Sequence, residues 1–242
     1  MNPKTILITG ATDGIGKATA LALASQGHTV ILHGRHIARG QAAVTELRQA
    51  AGHERIDFLP ADLSSMRQVR ELAAAVQTRY PQLHVLINNA GVFMNERQVT
   101  EDGFEMTLAV NHLAPFLLTN LLLDKIKQSA PARIITVSSV AHQRGQIDFN
   151  DLQGARTFGG YKAYAQSKLA NVLFTYELAA RLAGARVTAN CLHPGVIGTK
   201  LLQTGFGMGG ATPETGARTS VFLASSPEVL SLIHISEPTR PY

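Results

Sequence analysis

The sequence predicts an α/β fold, a single doubly wound parallel sheet with helices on both faces. Short runs rich in β-branched residues alternate along the chain with helical stretches. Continuous apolar runs such as Ile6-Leu7-Ile8 and Ile134-Ile135 suit strands buried on both faces, as parallel strands are. Neither an internal repeat nor a linker-like stretch divides the 242 residues. Residues 1–229 therefore read as one domain, and α/β folds often occupy about 200–250 residues as one unit.

Strands are expected over residues 5–9, 29–33, 56–60, 85–88, 133–138 and 186–192. Helices are expected between and after them, over 15–26, 38–50, 65–79, 101–127, 161–182 and 213–224. Some helix starts are legible. Ser64 or Ser65 follows Asp62-Leu63, and Thr212-Pro213-Glu214 reads as a cap, a proline at the first helical position and an acid in the first turn. The glycine-rich stretch 204–211 has no periodicity and reads as either a mobile lid or a loose loop.

With 45% hydrophobic and 16% charged residues, disorder is excluded. No run of about 18 uninterrupted apolar residues exists, so no membrane span is expected. The greasiest stretch, 116–123, is broken by Thr119 and Asn120 and stops at Asp124. Lys plus Arg (22) exceed Asp plus Glu (17) by 5, and the pI is about 9.6. The basic residues are scattered rather than clustered, so a small anionic ligand is expected and nucleic acid is not. One cysteine, Cys191, cannot form an internal disulfide. A reducing, cytoplasmic setting fits that count, and strand residues begin almost at Met1 with no signal peptide before them.

Thr9-Gly10-Ala11-Thr12-Asp13-Gly14-Ile15-Gly16 lies between the first strand and the first helix. Glycines there let the backbone turn sharply and approach a pyrophosphate, while the helix N-terminus offers N–H groups and a positive dipole end. A plain strand–helix turn is the alternative. The second strand ends in His33-Gly34-Arg35-His36, without the acid that would hold a ribose 2′-hydroxyl. A guanidinium at that place suits a 2′-phosphate, so Arg35 favours NADP(H) over NAD(H); an ordinary exposed arginine is the other reading.

Tyr164 and Lys168 stand one helical turn apart. A neighbouring cation favours the phenolate, which makes a tyrosine usable as a proton carrier near neutral pH. Ser139 follows the fifth strand at the carboxyl edge, where its hydroxyl can hydrogen-bond a carbonyl oxygen or simply cap the next turn. Asn88-Asn89-Ala90-Gly91 ends the fourth strand at the same edge. Asn111 sits in an apolar helix, where a buried amide must find partners, structural or functional.

Taken together and in this order, residues 9–16 and 88–91, Asn111, Ser139, Tyr164 and Lys168 resemble the short-chain dehydrogenase/reductase family, with its Rossmann-type sheet, over residues 4 to about 229. The stretches 110–123, 138–142 and 167–174 are similar to its retinol-dehydrogenase-like branch. The resemblance implies an oxidoreductase interconverting an alcohol and a carbonyl on a small hydrophobic substrate by hydride transfer. Tyr164 would be the general acid/base. Lys168 would lower its pKa and hold the nicotinamide ribose, Ser139 would orient the substrate carbonyl, and Asn111 would hold a water in a proton relay. Gly10, Thr12, Asp13, Gly14, Ile15 and Gly16 would cradle the cofactor phosphates. Asn89, Ala90 and Gly91 would line the cofactor, with Asp62 and Leu63 at the adenine. Pro194 and Gly195, after His193, and Thr199 would flank the nicotinamide. No metal is expected, and the family's habit of pairing through the Tyr164 helix implies a homodimer or homotetramer. The other enzymatic reading is a light-dependent or ring-reducing relative. From a different class comes a catalytically silent NADP(H)-binding regulator.

Two departures stand out. Residues 141–160, with His142, Arg144, Asp148 and Phe158, form a long insertion between Ser139 and Tyr164. It is expected either to cover the substrate mouth or to decorate the surface. The N-terminal anchor often found in retinol-dehydrogenase relatives is not expected here. After Val229 the character changes: 230–240 back-translates to a transposon-type sequencing adapter. Residues 230–242 are expected to be non-native and the sheet to lack its last edge strand, leaving an unpaired edge.

Overall fold

Strands form where aliphatic and β-branched residues run together: β1 (Thr5–Ile8), β2 (Thr29–Gly34), β3 (Ile56–Pro60), β4 (Val85–Asn88), β5 (Ala132–Val137) and β6 (Val187–Leu192). In the computed structural model they pair parallel, in the order β3-β2-β1-β4-β5-β6-β7. The structure describes residues 3–231 and the two-residue strand β7 (Ile235–Ser236). The edge of β6 is thus not bare: Ile235 and Ser236 pair with Cys191 and Leu192. An unpaired row of N–H and C=O groups accepts any extended segment within reach. The remainder of the expected tail, 232–234 and 237–242, lies outside the described residues.

Because both faces are covered, neighbouring residues of one strand serve different cores. Ile6, Ile8, Val85 and Ile87 face α1 (Gly14–Ser25), α2 (Ile37–Ala51) and the later helix α8 (Pro213–Ser225). Leu7, Leu86 and Ile134 face α3 (Met66–Arg79), α5 (Ala114–Gln128) and α6 (Gly160–Arg181). Ser65 caps α3 and Thr212 caps α8, with Pro213 in its first turn, as their sequences predict.

The expected helix 101–127 begins later. Gly103 takes φ +82°, a conformation that ends regular structure, and the Thr100 amide donates to the Phe104 carbonyl at 2.8 Å. The Glu105 carboxylate then accepts from the Thr107 and Leu108 amides at 2.8 and 2.7 Å, so the short α4 (Met106–Leu108) starts there. A π turn, Ala109–Leu113, joins α4 to α5. The whole span Met106–Gln128 is 23 residues with a window of mean hydropathy 1.4, long and apolar enough by those measures to cross a bilayer. The uninterrupted-run criterion passed over it because Asn111, His112, Thr119 and Asn120 break the run. Half of that window is buried inside the fold.

One cation ties β5 to α8. Arg133 is 2% exposed and donates through its guanidinium to the Leu223 and Ser226 carbonyls, while the Lys4 ammonium reaches the Ala224 carbonyl at 3.1 Å. These groups satisfy the last carbonyls of α8, which have no helical donors. Arg133→Met leaves two buried carbonyls unpaired and is expected to lower unfolding stability by about 2–4 kcal/mol. A change under about 0.5 kcal/mol in urea unfolding would refute this role.

Candidate active site

Strand order reverses between β1 and β4, the crevice where open parallel sheets bind ligands. Here the two strand ends are held to each other. The Thr9 hydroxyl accepts from the Asn89 and Ala90 amides at 3.0 and 3.1 Å, and the Asn89 side chain donates to the Thr9 and Gly10 carbonyls at 2.8 and 3.1 Å. Gly10 has φ +64°, and a Cβ there would lie 2.9 Å from Ala90 Cα. A Cβ on Gly16 would lie 2.2 Å from the Gly10 carbonyl oxygen. No other residue fits either place, so the loop keeps its backbone open at the start of α1.

The wall of this loop is a histidine that sequence reading passed over. His33 is 2% exposed; Nδ1 accepts from the Gly10 amide at 3.2 Å and Nε2 lies 3.1 Å from the Ala61 carbonyl. Only the neutral Nε2–H tautomer makes both bonds. Burial holds its pKa down to about 4.

A cavity of about 900 Å³ opens over this edge. Every residue singled out for the phosphates, adenine, ribose and nicotinamide lines it, from Gly10 through Arg35, Asp62 and Leu63 to Gly91, Gly195 and Thr199. Ser139, Tyr164 and Lys168 line it as well. Asn111 does not. It is fully buried behind the wall, its Oδ1 accepting from the Val92 amide at 2.8 Å and its Nδ2 donating to the Val92 carbonyl and the Ser167 hydroxyl, both at 3.0 Å. Its side chain thus clamps the segment beside Gly91.

Lys168 is 3% exposed, and its ammonium donates to the Val137 carbonyl at 2.9 Å. The Ser138 hydroxyl donates to the Lys168 carbonyl at 2.8 Å, so α6 is pinned to the end of β5 at this residue. The ammonium stands 5.6 Å from the centre of the Tyr164 ring. Burial lowers the Lys168 pKa to about 8. Burial also raises that of Tyr164; a Ser139 hydrogen bond pulls it back, and Tyr161 adds to the rise. In the protein alone, burial sets the direction of both shifts: the Tyr164 phenol is held neutral, while Lys168, at about 8, remains mostly an ammonium at neutral pH.

The insertion 141–160 does not cover the mouth. Of it only Ala141 lines the cavity; His142, Arg144, Asp148 and Phe158 do not. It folds instead on its own contacts. The Asp151 carboxylate accepts from the Ala155 and Thr157 amides, and Gln166 of α6 donates to the Leu152 carbonyl at 2.8 Å. The covering element is a helix the sequence pattern hid, α7 (Lys200–Phe206). Its base is closed by hydrogen bonds from the Gly198 amide to the Ala211 carbonyl and from the Ala211 amide to Val196, each 2.9 Å. The Phe206 ring lies 6.1 Å from Tyr164 and 5.3 Å from Phe93. Lys200 reaches back to the Asp13 carboxylate at 2.6 Å, bridging α7 to the glycine loop. Phe206 lies inside the glycine-rich stretch, and that clustering was the one available signal.

The model of the short chain dehydrogenase family matches residues 4–206. The chain belongs to that family. This short-chain dehydrogenase is 43% identical over 245 residues to human retinol dehydrogenase 11, covering 97% of this chain and 77% of the relative. It is 47% identical over 229 residues to human retinol dehydrogenase 13, covering 93% and 69%. Among solved structures it resembles a blue fluorescent protein from a metagenomic library in complex with NADPH, with TM-score 0.76 and 28% identity over 96% of this chain and 94% of that one. A short chain dehydrogenase from Shigella flexneri shares the fold with TM-score 0.81 at 24% identity, over 100% and 93%. Membership in the retinol-dehydrogenase-like branch makes this short-chain dehydrogenase an NAD(P)-dependent oxidoreductase acting on CH–OH donors. Its residues fit such a cofactor: the Gly10–Gly16 cradle that a Cβ would fill sits at a helix N-terminus. A Cβ on Gly91 would come into ordinary contact with the Lys168 ammonium, 3.5 Å away, so Gly91 and Lys168 share one wall of the cavity.

His33 makes the loop sensitive to acid. Its folded pKa lies below the unfolded value of 6.5, so its contribution is intact above pH 6.5 and is lost as pH falls toward 4. About 3 kcal/mol of stability is expected to disappear across that window. His33→Leu cannot titrate and should flatten the decline in Tm between pH 6.5 and 4; an equally steep decline in both proteins would disprove the assignment.

Proposed function

We propose that this short-chain dehydrogenase interconverts an uncharged hydrophobic carbonyl compound and its alcohol, with NADP(H) preferred to NAD(H). The observation that carries this reading is the division of one cavity into a charged end and an apolar end. Asp13, Arg35, His36, Arg39, Asp62 and Lys200 stand at the nucleotide end. Met94, Met106, Val140, Tyr161, Phe206 and Met208 line the other, and Ser139, Tyr164 and Lys168 stand where the two meet. An apolar wall rich in methionine accepts hydrophobic molecules of varied shape and gives a charged substrate no partner.

The cofactor preference is supported by Arg35, exposed at the cavity rim where β2 ends, with Arg39 in the first turn of α2 also lining the cavity. Two guanidiniums, with no acid among residues 33–39 at and after the end of β2, suit a 2′-phosphate.

A nicotinamide cofactor, when bound, supplies or accepts the hydride. The Ser139 hydroxyl, beside the Tyr164 phenol, donates to the substrate oxygen and holds the carbonyl against it. In reduction, Tyr164 gives its phenolic proton to that oxygen as the carbon gains hydride. In oxidation it takes the proton back. The buried Lys168 ammonium stabilises the phenolate that forms between the two. α7, with Phe206 over the Tyr164 ring, keeps water from the reacting oxygen.

Oxidation of NADPH with a panel of hydrophobic aldehydes and ketones tests the reading, and tight NADPH binding without turnover across the panel would favour a silent regulator. Tyr164→Phe is expected to reduce kcat by about 10²–10⁴-fold with NADPH affinity nearly unchanged in a fluorescence titration. Retained turnover would remove the phenol from the mechanism. Arg35→Asp is expected to move the NADPH-to-NADH ratio of kcat/KM about 10- to 100-fold toward NADH, and an unaltered ratio would end the 2′-phosphate assignment.

A further inference from the structure

Asn111 owes its place to a local break in its helix. The donor that an α-helix would offer its carbonyl, four residues on, is Pro115, which has no N–H. The amide before it, Ala114, is used by the Ala109 carbonyl in the π turn. Such turns leave main-chain groups to be satisfied from outside and cluster at functional sites. The outside donor here comes from α6: Asn171 Nδ2 donates to the Asn111 carbonyl at 2.8 Å. A carbonyl only accepts, so the Asn171 amide must present its oxygen on the other side, where His112 Nδ1 lies at 3.1 Å. His112 is therefore the Nδ1–H tautomer. Its ring is fixed in turn by Phe116 and Phe174, each 6.3 Å away.

From Asn111 the connection continues to the site. Its side chain grips both backbone groups of Val92, next to Gly91 under the Lys168 ammonium. The same amide donates to the Ser167 hydroxyl, which donates to the Tyr164 carbonyl at 2.7 Å. Asn111, Ser167 and Asn171 are all essentially fully buried, so no water substitutes readily for a lost partner.

We propose that Asn171, oriented by His112, is a positioning residue for the reaction: it holds the Asn111 carbonyl that Pro115 leaves free, and through Asn111 it sets Tyr164 against Lys168. This rests on the dehydrogenase reading above. Asn171 touches neither substrate nor cofactor, and it does not line the cavity. Its effect falls on geometry at the proton-transfer step, where displacement of the reacting group by about 1 Å costs up to about 100-fold in rate.

The test uses the full chain. Asn171→Leu keeps the volume and removes the donor. It is expected to lower kcat about 10- to 100-fold while leaving the KM and the fluorescence Kd for NADPH within about twofold. In the cofactor-free protein, ultraviolet difference titration against Tyr164→Phe follows the phenol directly. In Asn171→Leu this phenol should titrate lower, toward its ordinary value, as the loosened turn relieves its burial. His112→Gln, which keeps a donor to Asn171, should behave as wild type, and His112→Phe should follow Asn171→Leu. These two variants decide the matter alone if Asn171→Leu does not fold. Wild-type kcat and phenol titration in Asn171→Leu would overturn the proposal. So would a loss of kcat matched by an equal loss of NADPH affinity with the titration unmoved, which marks a scaffold residue only. If wild type reduces no carbonyl in the panel, the dehydrogenase reading fails instead. The phenol titration then still decides the positioning role: a shift upholds it, and no shift overturns it.

Discussion

A buried ammonium organises this molecule. Lys168 gives up nearly all its water to reach the Val137 carbonyl, and its own carbonyl is held by the Ser138 hydroxyl. Two successive residues at the end of β5 therefore grip one residue of α6 from both sides, and Tyr164 follows one turn away. Desolvating a cation is unfavourable by several kcal/mol unless something returns the loss. One carbonyl satisfies one of its three N–H donors. The remaining donors face the cavity side of Gly91, where a ligand can meet them. Burial also opposes ionisation of the neighbouring phenol, so in the protein alone a neutral phenol stands beside an ammonium whose pKa is lowered to about 8.

Around that pair, charge and apolarity are separated by the sheet's topology. The crevice between β1 and β4 carries the glycine loop, the ends of β2 and β3 carry the cations and Asp62, and the chain beyond β6 returns as α7 over the opposite end. α7 has two attachments of different kinds. Phe206 packs among Phe93, Tyr161 and Tyr164, and Lys200 pairs with Asp13 at the start of α1. The aromatic attachment is short-range and apolar. The ion pair is exposed, with side chains 78% and 56% accessible, and is weak in salt. The cover is consequently held at the substrate end and only lightly at the cofactor end.

Several polar groups inside the fold are assigned to backbone groups that secondary structure leaves over. Arg133 takes the last carbonyls of α8, His33 the Gly10 amide, Asn89 the loop carbonyls, and Asn171 the carbonyl that Pro115 cannot serve. Unsatisfied buried amides and carbonyls are costly enough that such residues follow from the breaks themselves.

Strands 29–33, 56–60 and 85–88 were legible to within a residue, as were the caps at Ser65 and Thr212, because period, β-branching and capping act between near neighbours. The glycine loop was legible for the same reason: positive φ and the absence of a Cβ are properties of single residues. The start of α4 was not, since Glu105 and Gly103 stop the helix by contacts that an apolar pattern does not record. The clamp by Asn111 could not be read from the chain, and a cover was one of two readings for both 204–211, which holds Phe206, and the insertion 141–160. Those roles depend on which distant segments meet, and that is set by strand order and by the two cores. The sequence by itself determined most of the elements and the reacting side chains; the tertiary structure decided which of them touch, because the hydrogen bond between Asn111 and Asn171 exists only once the π turn before α5 lies against α6.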